Sequence, residues 1–147
     1  MKLTEGKSFK QFLNEKEILR KDFENLVKNL EPTQIDNQGD VMYALWYDYN
    51  SDEDRYEGVQ LQVDEDGTAR IYTRGITVEE CYEANDPDDE ARAYDSMGID
   101  EMWNDDFDEP DFEGTVEEAL EELKTSYDLS NTMTEYEYEK VQKQFIG

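Results

Sequence analysis

In residues 41–74, VMYALWYDYNSDEDRYEGVQLQVDEDGTARIYTR, apolar and polar residues alternate with a period of two, as in the strands of a sheet. Two polar segments interrupt the alternation. The first is the turn 50–54, and the second is Asp-Glu-Asp-Gly at 64–67, in which Asp-Gly supplies the positive φ angles of a tight hairpin. The pattern predicts a three-stranded antiparallel meander with one face packed against a helix, its strands lying at residues 41–49, 56–63 and 69–74.

An amphipathic helix is predicted upstream of this sheet, over residues 8–30. Ser8 can cap its start, and Pro32 stops it because proline disfavours helical geometry in the preceding residue. Asn14 with Glu17 could instead cap a second, shorter helix, so a break near Asn14 stays open. Apolar residues recur at spacings of three and four, which forms a core-facing stripe of Phe9, Phe12, Leu13, Leu19, Phe23, Leu26, Val27 and Leu30.

The sequence after the meander predicts helices. Pro87 and Gly98 suit the start and end of one helix, and residues 104–114 are interpreted as an acidic loop. Three Thr-x-x-Glu sequences have the spacing of a capping box, in which each side chain accepts a hydrogen bond from the other residue's backbone N–H. These are Thr77 with Glu80, Thr115 with Glu118, and Thr134 with Glu137.

The chain of 147 residues fits one domain, 1–147. The predicted fold class is α+β: an N-terminal helix, the three-stranded antiparallel meander, then several acidic C-terminal helices. The sequence shows neither a membrane-spanning apolar run nor a signal-peptide pattern, and its single cysteine, Cys81, allows no intramolecular disulfide. We therefore expect a protein of the cytoplasm, without membrane contact.

Negative charge is concentrated in one block. The formal charge of the chain is −26, and residues 79–122 hold 20 Asp and Glu against one basic residue, Arg92, or 1 − 20 = −19. Residues 1–30, with seven basic and five acidic residues, carry 7 − 5 = +2. Halophilic adaptation would spread acid over the whole surface, so this uneven placement argues against it.

The acidic block differs from a disordered tail because aromatic residues interrupt it. Disordered acidic segments contain few aromatic side chains. Here Trp103, Phe107 and Phe112 lie among the carboxylates and need a core to cover their rings. Cys81 suits a buried small apolar position. The block is therefore predicted to be ordered, with its carboxylates held in fixed places.

The residue types present disfavour catalysis and metal binding. The chain contains no histidine, the commonest general base and neutral metal ligand, and no histidine partner for Cys81. Asp48-x-Asn50-x-Asp52 begins like a calcium loop, but Glu53 replaces its glycine and Val59 its final glutamate. We predict that the protein is not an enzyme and has neither a cofactor nor a metal site.

What remains is binding to something basic. Duplex DNA carries one negative charge per roughly 1.7 Å of axis, so 20 carboxylates match about 34 Å of duplex. In size, in its helix-plus-small-sheet pattern and in the acid clustered through residues 79–122, the chain resembles the small acidic DNA-mimic inhibitors of phages and mobile elements, which include anti-CRISPR and anti-restriction proteins. The resemblance implies a basic nucleic-acid-binding partner, a CRISPR effector such as Cas9 or a restriction enzyme, and no direct nucleic-acid contact. If a phage encodes the chain, it also implies action in the cytoplasm of the host cell.

Partner contacts are predicted in the densest acidic segment. Residues 105–113 hold six acidic and no basic side chains. Phe107 and Phe112 flank the central acids of this segment, and their rings could anchor it. In the helix that follows, Val116, Ala119, Leu120 and Leu123 are expected to face inward, which leaves its glutamates outside. The predicted partner-binding residues are Asp105, Asp106, Asp108, Glu109, Asp111, Glu113, Glu117, Glu118, Glu121 and Glu122.

Two other classes of function stay open. An immunity or antitoxin-type protein that neutralises a cationic toxin would need the same electrostatics. An acidic accessory protein that binds divalent cations would use the same carboxylates, including those of residues 104–113. Gene neighbourhood separates the immunity protein from the inhibitor, because a toxin gene would lie beside it, and calcium titration with a thermal-shift readout would detect the cation-binding protein.

Overall fold

A five-stranded antiparallel sheet forms the centre of the computed structural model, which describes residues 22–83, 98–103 and 109–146. Each strand pairs with the next along the chain, in the order β1-β2-β3-β4-β5. The class is α+β overall, but the predicted three-stranded meander is wrong because a further strand extends it at each edge. The strands are β1 Gln34–Gln38, β2 Val41–Asn50, β3 Arg55–Val63, β4 Thr68–Thr77 and β5 Phe112–Thr115.

The two edge strands lack the pattern that revealed the other three. β1 contains one large apolar residue, Ile35, which is 39% exposed at the sheet edge. β5 is only four residues long, and it pairs with the start of β4, placing Thr115 opposite Thr68. Its last residue also caps the following helix, so the local signal there predicts a helix start. β5 overlaps the end of residues 104–114, which were predicted to be an acidic loop.

Helical elements cover the sheet. The predicted N-terminal helix lies mostly outside the described residues, and only its part at 22–27, α1, is seen as α-helix. The helix predicted between Pro87 and Gly98 also lies outside the described residues, except for Gly98 itself. Gly98 instead begins a 3-10 helix. The predicted run of C-terminal helices is wrong in order, because β5 lies among them. The described elements are α1, the 3-10 turn Lys28–Leu30, α2 Val78–Glu83, the 3-10 helix Gly98–Trp103, α3 Val116–Ser126 and α4 Glu135–Ile146.

Both faces of the sheet are covered, whereas the sequence predicted packing on one. Residues 44–47 of β2 are buried in succession, as in a strand with a core on each side. On the first face, α1 and α3 contribute Phe23, Val27 and Leu123 to the core around Trp46 and Leu61. On the second face, α2, the 3-10 helix and α4 form a separate core with Leu45, Tyr47, Tyr56, Ile76, Cys81, Ile99, Met102, Tyr138 and Phe145.

Hydrogen bonds from buried polar groups join the helices to β2. The Trp46 indole N–H donates to the carbonyl of Leu30 over 2.8 Å, which ties the end of the first helical segment to the sheet. Thr33 accepts from the backbone N–H of Tyr47 (3.1 Å) and donates to the carbonyl of Met133 (2.7 Å). These bonds satisfy groups that would be costly to bury unpaired, and they fix the segment that leads into α4.

The second core closes tightly over β3 at Gly58. A Cβ built at this position would lie 2.6 Å from the Met102 sulfur and 2.8 Å from the Trp103 ring. The absence of a side chain therefore lets the acidic 3-10 helix lie directly on the sheet. The Trp103 indole donates to the Tyr47 hydroxyl over 2.7 Å, so this half-buried ring anchors its segment by a hydrogen bond as well as by packing.

Candidate partner-binding surface

Acidic side chains collect at the two ends of the sheet. We call residues 64–70 and 109–122 the α3 end, and residues 48–57 and 78–83 the α2 end. The α3 end has ten acidic residues and one basic, or 1 − 10 = −9, and the α2 end has eight and one, or 1 − 8 = −7. β4 runs from one end to the other over its ten residues, which corresponds to about 30 Å.

Asp111, one of the predicted partner-binding residues at the α3 end, forms hydrogen bonds within the protein. Its carboxylate accepts hydrogen bonds from the backbone N–H and the hydroxyl of Thr73, both at 2.8 Å. Its own N–H donates to the carbonyl of Ile71 over 2.8 Å. The carboxylate therefore secures the chain to β4 just before β5 begins, rather than projecting freely. Asp105, Asp106 and Asp108, with Phe107, lie outside the described residues.

Glu113 is engaged in an ion pair across the sheet. It lies opposite Arg70 in the β4–β5 register and accepts from the Arg70 Nε over 2.8 Å. Arg70 also pairs with Asp64 at the β3–β4 turn, and these two partners raise the pKa of its guanidinium above the ordinary value. One cation is thus held between two carboxylates, which lowers the negative charge that this part of the surface offers to a partner.

Glu118 completes the predicted capping box at the start of α3. It accepts from the Thr115 N–H over 3.0 Å, and its own N–H donates to the Thr115 hydroxyl over 3.1 Å. The backbone hydrogen bond, followed by the side-chain one, lowers the pKa of Glu118. The boxes at Thr77 and Thr134 form in the same way. All three predicted boxes are confirmed.

The remaining predicted glutamates lie on the outer side of α3 and just before β5. Ala119, Leu120 and Leu123 are buried and Val116 packs against them, so the predicted inward face of this helix is confirmed. Glu117 and Glu121 are consequently exposed and Glu122 is partly so. Glu109 is also exposed. Within the described ranges no basic side chain forms an ion pair with any of these four carboxylates.

The α2 end is an acidic surface for which the sequence predicted no partner-binding residue. The backbone N–H of Val78, at the start of α2, donates to the Asp54 carbonyl over 3.0 Å and joins the β2–β3 turn to the helix. Asp48 and Glu57 face each other directly across β2 and β3. Like charges in this position destabilise a sheet. The hairpin register implied by the turn at 50–54 would have revealed this pair.

Arg55 only partly offsets the charge at the α2 end. Its guanidinium lies 3.9 Å from the carboxylates of both Glu53 and Glu57, a looser arrangement than that of Arg70. It passes over Gly75, where a Cβ would come within 1.7 Å of it. The Asn50 side-chain oxygen accepts from the N–H groups of Asp52 and Glu53 at 3.1 and 3.3 Å, so it closes the turn instead of serving the calcium loop that the sequence resembles.

A half-buried carboxylate, that of Asp100, fixes the acidic 3-10 helix between the two ends. Asp100 accepts from the Tyr47 hydroxyl over 2.9 Å and from the Tyr138 hydroxyl over 2.7 Å. The two tyrosine rings stack with centroids 5.1 Å apart. Burial first, and then the charge of Asp100, raises the pKa of both hydroxyls, so they remain donors. Asp100 therefore links β2 to α4 through the two tyrosine hydroxyls. Nothing in the sequence pattern indicates that Asp100 binds Tyr47 and Tyr138.

The described residues carry few features of other classes of site. The Cys81 thiol is buried, which raises its pKa to about 12 and keeps it protonated at neutral pH. Among residues 22–83, 98–103 and 109–146, no three His, Cys, Asp or Glu side chains converge as a metal site. In the same part of the chain, no helix is long and apolar enough to cross a membrane.

No protein-family model matches this chain, and neither a curated protein nor a solved structure is significantly similar to it. Its function must therefore be inferred from the charge and geometry of its own residues.

Proposed function

We propose that this chain is an inhibitor that binds a basic nucleic-acid-binding protein and blocks the access of nucleic acid. Its targets would be of the kind that cut or bind invading DNA, a CRISPR effector such as Cas9 or a restriction enzyme. It would act in the cytoplasm of the host cell, by binding and not by catalysis. The negative charge disfavours direct contact with nucleic acid, because the two would repel.

The observation that carries this proposal is the distance between the two ordered acidic ends of the sheet. The described residues hold 29 acidic and 7 basic side chains, or 7 − 29 = −22. The two acidic ends are separated by the length of β4, about 30 Å. One turn of duplex DNA measures about 34 Å, so a protein groove that binds phosphates on one face of a duplex would meet carboxylates at a similar separation.

Rigidity supports the same conclusion. Asp111, Glu113 and Glu118 hold the backbone that carries the outer glutamates of α3, so Glu117, Glu121 and Glu122 are presented from a fixed helix. A preorganised surface loses less conformational entropy on binding than a flexible acidic tail does. The proposed contacts at this end are Glu109, Glu117, Glu121 and Glu122, with Asp105, Asp106 and Asp108 in the adjoining segment.

The test is competition with DNA. The chain is titrated into a fluorescent duplex bound to guide-loaded Cas9 or to a restriction enzyme, and anisotropy reports displacement. We expect displacement near stoichiometric amounts at 0.1 M salt. Because rising salt releases the duplex itself from a basic protein, the salt dependence is measured on direct binding of the chain to the target without DNA. This binding should weaken steeply towards 1 M, because the Debye length falls from about 10 to 3 Å. Failure to displace DNA from any basic nucleic-acid-binding protein, or direct binding unaffected by salt, would contradict the proposal.

A matched pair of variants tests whether displacement of DNA depends on the glutamates of α3 or only on the net charge of the protein. Glu117→Gln, Glu121→Gln and Glu122→Gln remove three charges from α3, whereas Glu31→Gln, Glu135→Gln and Glu139→Gln remove three exposed charges elsewhere. The α3 triple variant should displace DNA at least tenfold less effectively, which corresponds to about 1.4 kcal/mol, and the control triple variant should resemble the wild type. Equal losses in both would show that only total charge matters.

A further inference from the structure

The α2 end carries a row of aromatic rings whose two outer members are open to solvent. Tyr49 on β2 packs against Tyr56 with ring centroids 5.1 Å apart, and Tyr56 meets Phe145 of α4 edge-on at 6.1 Å. Phe145 in turn meets Tyr82 of α2 at 4.8 Å. The inner rings are buried, but Tyr49 is 43% and Tyr82 is 55% exposed. We call these four residues the aromatic row.

Among the described residues, two exposed large apolar side chains, Tyr49 and Tyr82, thus lie at the α2 end, and none lies at the α3 end. The inner rings hold the outer ones in place, because Tyr56 and Phe145 are themselves fixed in the second core. The Tyr49 hydroxyl is also held, since it donates to the Asp54 carboxylate over 2.6 Å. Rigid tyrosines at a surface supply contact area at low entropic cost and are frequent energetic centres of interfaces.

The charge around the aromatic row indicates which chemical group fits it. The α2 end carries a net charge of 1 − 8 = −7, and its exposed carboxylates include Glu53, Glu57, Glu79 and Glu83. A tyrosine face attracts a cation placed within about 6 Å of its centre, and a planar guanidinium can stack on the ring while it pairs with a carboxylate. An ammonium group lacks the planar stacking surface. Tyrosine faces beside carboxylates therefore favour arginine over lysine.

We propose that the aromatic row is a docking site for arginine side chains of a basic partner. Arginine guanidinium groups would stack on Tyr49 and Tyr82 while the neighbouring carboxylates neutralise them. The inference rests on the proposed function, in which the partner presents a phosphate-binding surface, and it deepens that function by naming the partner side chain that the α2 end selects. The α3 end, without exposed rings, would supply charge at the other end of the interface.

The experiment uses two fluorescein-labelled probes of equal charge, decaarginine and decalysine, with binding followed by anisotropy at 0.1 M salt. The wild type should bind decaarginine more tightly than decalysine. The variant Tyr49→Leu with Tyr82→Leu keeps apolar bulk but removes the ring faces, so its affinity for decaarginine should fall about tenfold and its preference for arginine should disappear. Tyr136→Leu, which changes a tyrosine that is 73% exposed on α4 and outside the row, should match the wild type.

A second measurement keeps the test independent of how well the variant folds. In NMR spectra of the wild type titrated with decaarginine, the ring-proton signals of Tyr49 and Tyr82 should shift more than that of Tyr136. Equal binding of both probes, unchanged affinity in a folded double variant, or ring shifts confined to Tyr136 would overturn the docking site. If the double variant still displaces DNA like the wild type, this inference alone fails; if the wild type does not displace DNA, the proposed function fails.

Discussion

At the α3 end, three carboxylates hold the chain's own structure: Asp111 binds β4, Glu113 pairs with Arg70, and Glu118 caps a helix. At the α2 end, which carries a net charge of −7, two tyrosine rings are exposed, and the carboxylates of Asp48 and Glu57 lie opposite each other across β2 and β3. The ends have comparable charge but different chemistry. The densest run of acid in a sequence is therefore a guide to charge, whereas the neighbours of each carboxylate decide whether it stabilises the fold or remains available to a partner.

Of the changes that test this comparison, the largest effect on stability is expected at Asp111. Asp111→Ala removes both hydrogen bonds to Thr73 and should lower the free energy of unfolding by about 2 kcal/mol, since hydrogen bonds to charged groups are among the stronger ones. Urea unfolding followed by circular dichroism measures it. Asp111→Asn keeps an acceptor oxygen and should lose less. Wild-type stability in the alanine variant would mean that the α3 end does not depend on this carboxylate.

A smaller loss is expected from the helix cap at the same end. Thr115→Ala removes the side chain that accepts from the Glu118 N–H and should destabilise the protein by about 1 kcal/mol. Thr115→Ser keeps the hydroxyl oxygen and is the matched control in the same urea experiment. If serine and alanine behave alike, the loss comes from the β5 strand and not from the cap.

At the α2 end, removing a carboxylate should change stability in the opposite direction. Asp48→Asn relieves the repulsion with Glu57 and keeps the side-chain oxygen that accepts from the Tyr49 N–H. We expect a gain of roughly 0.5 kcal/mol, within the range of cross-strand pairs. Glu139→Gln, an exposed change on α4, measures the general gain from lowering net charge. A gain no larger than this control would show that the facing pair costs nothing.

The smallest effect is the pH dependence of the α3 cap. Because the folded-state pKa of Glu118 is lowered from its ordinary value of 4.5, its carboxylate stabilises the folded state above that value and the contribution is lost as pH falls through the folded pKa. The stability difference between the wild type and Glu118→Gln should therefore be present at neutral pH and disappear in acid. Thermal unfolding at several pH values measures it. A difference that stays constant with pH would refute the assignment.

Alternation and local caps account for what the sequence could predict of the fold. β2, β3 and β4 follow from their period of two, and the capping boxes follow from spacing alone. β1 was missed because four of its five residues are polar, and β5 because Gly114 and Thr115 have local preferences for a turn and a cap. An edge strand pairs on one side only, so tertiary pairing can form it without a strong pattern.

The candidate surface was predictable only in part. The outer glutamates of α3 follow from helical spacing, and the facing of Asp48 and Glu57 follows from hairpin register. The bonds from Thr73 to Asp111 and the contact of Tyr82 with Phe145 join residues that are 38 or more positions apart. No local pattern reports such contacts. Whether a carboxylate is hydrogen-bonded within the protein, and whether a ring is exposed, can therefore be known only from the structure.

The position of β5 at the edge of the sheet also affects how copies of the chain meet. Unpaired N–H and C=O groups of an edge strand are a template for another chain, and within the described residues β5 pairs only with β4. This strand is short and acidic residues flank it on both sides, so two copies that approach edge to edge repel each other. We expect this charge to keep concentrated protein dispersed and to oppose growth into extended sheets. High salt, by screening that repulsion, would favour self-association.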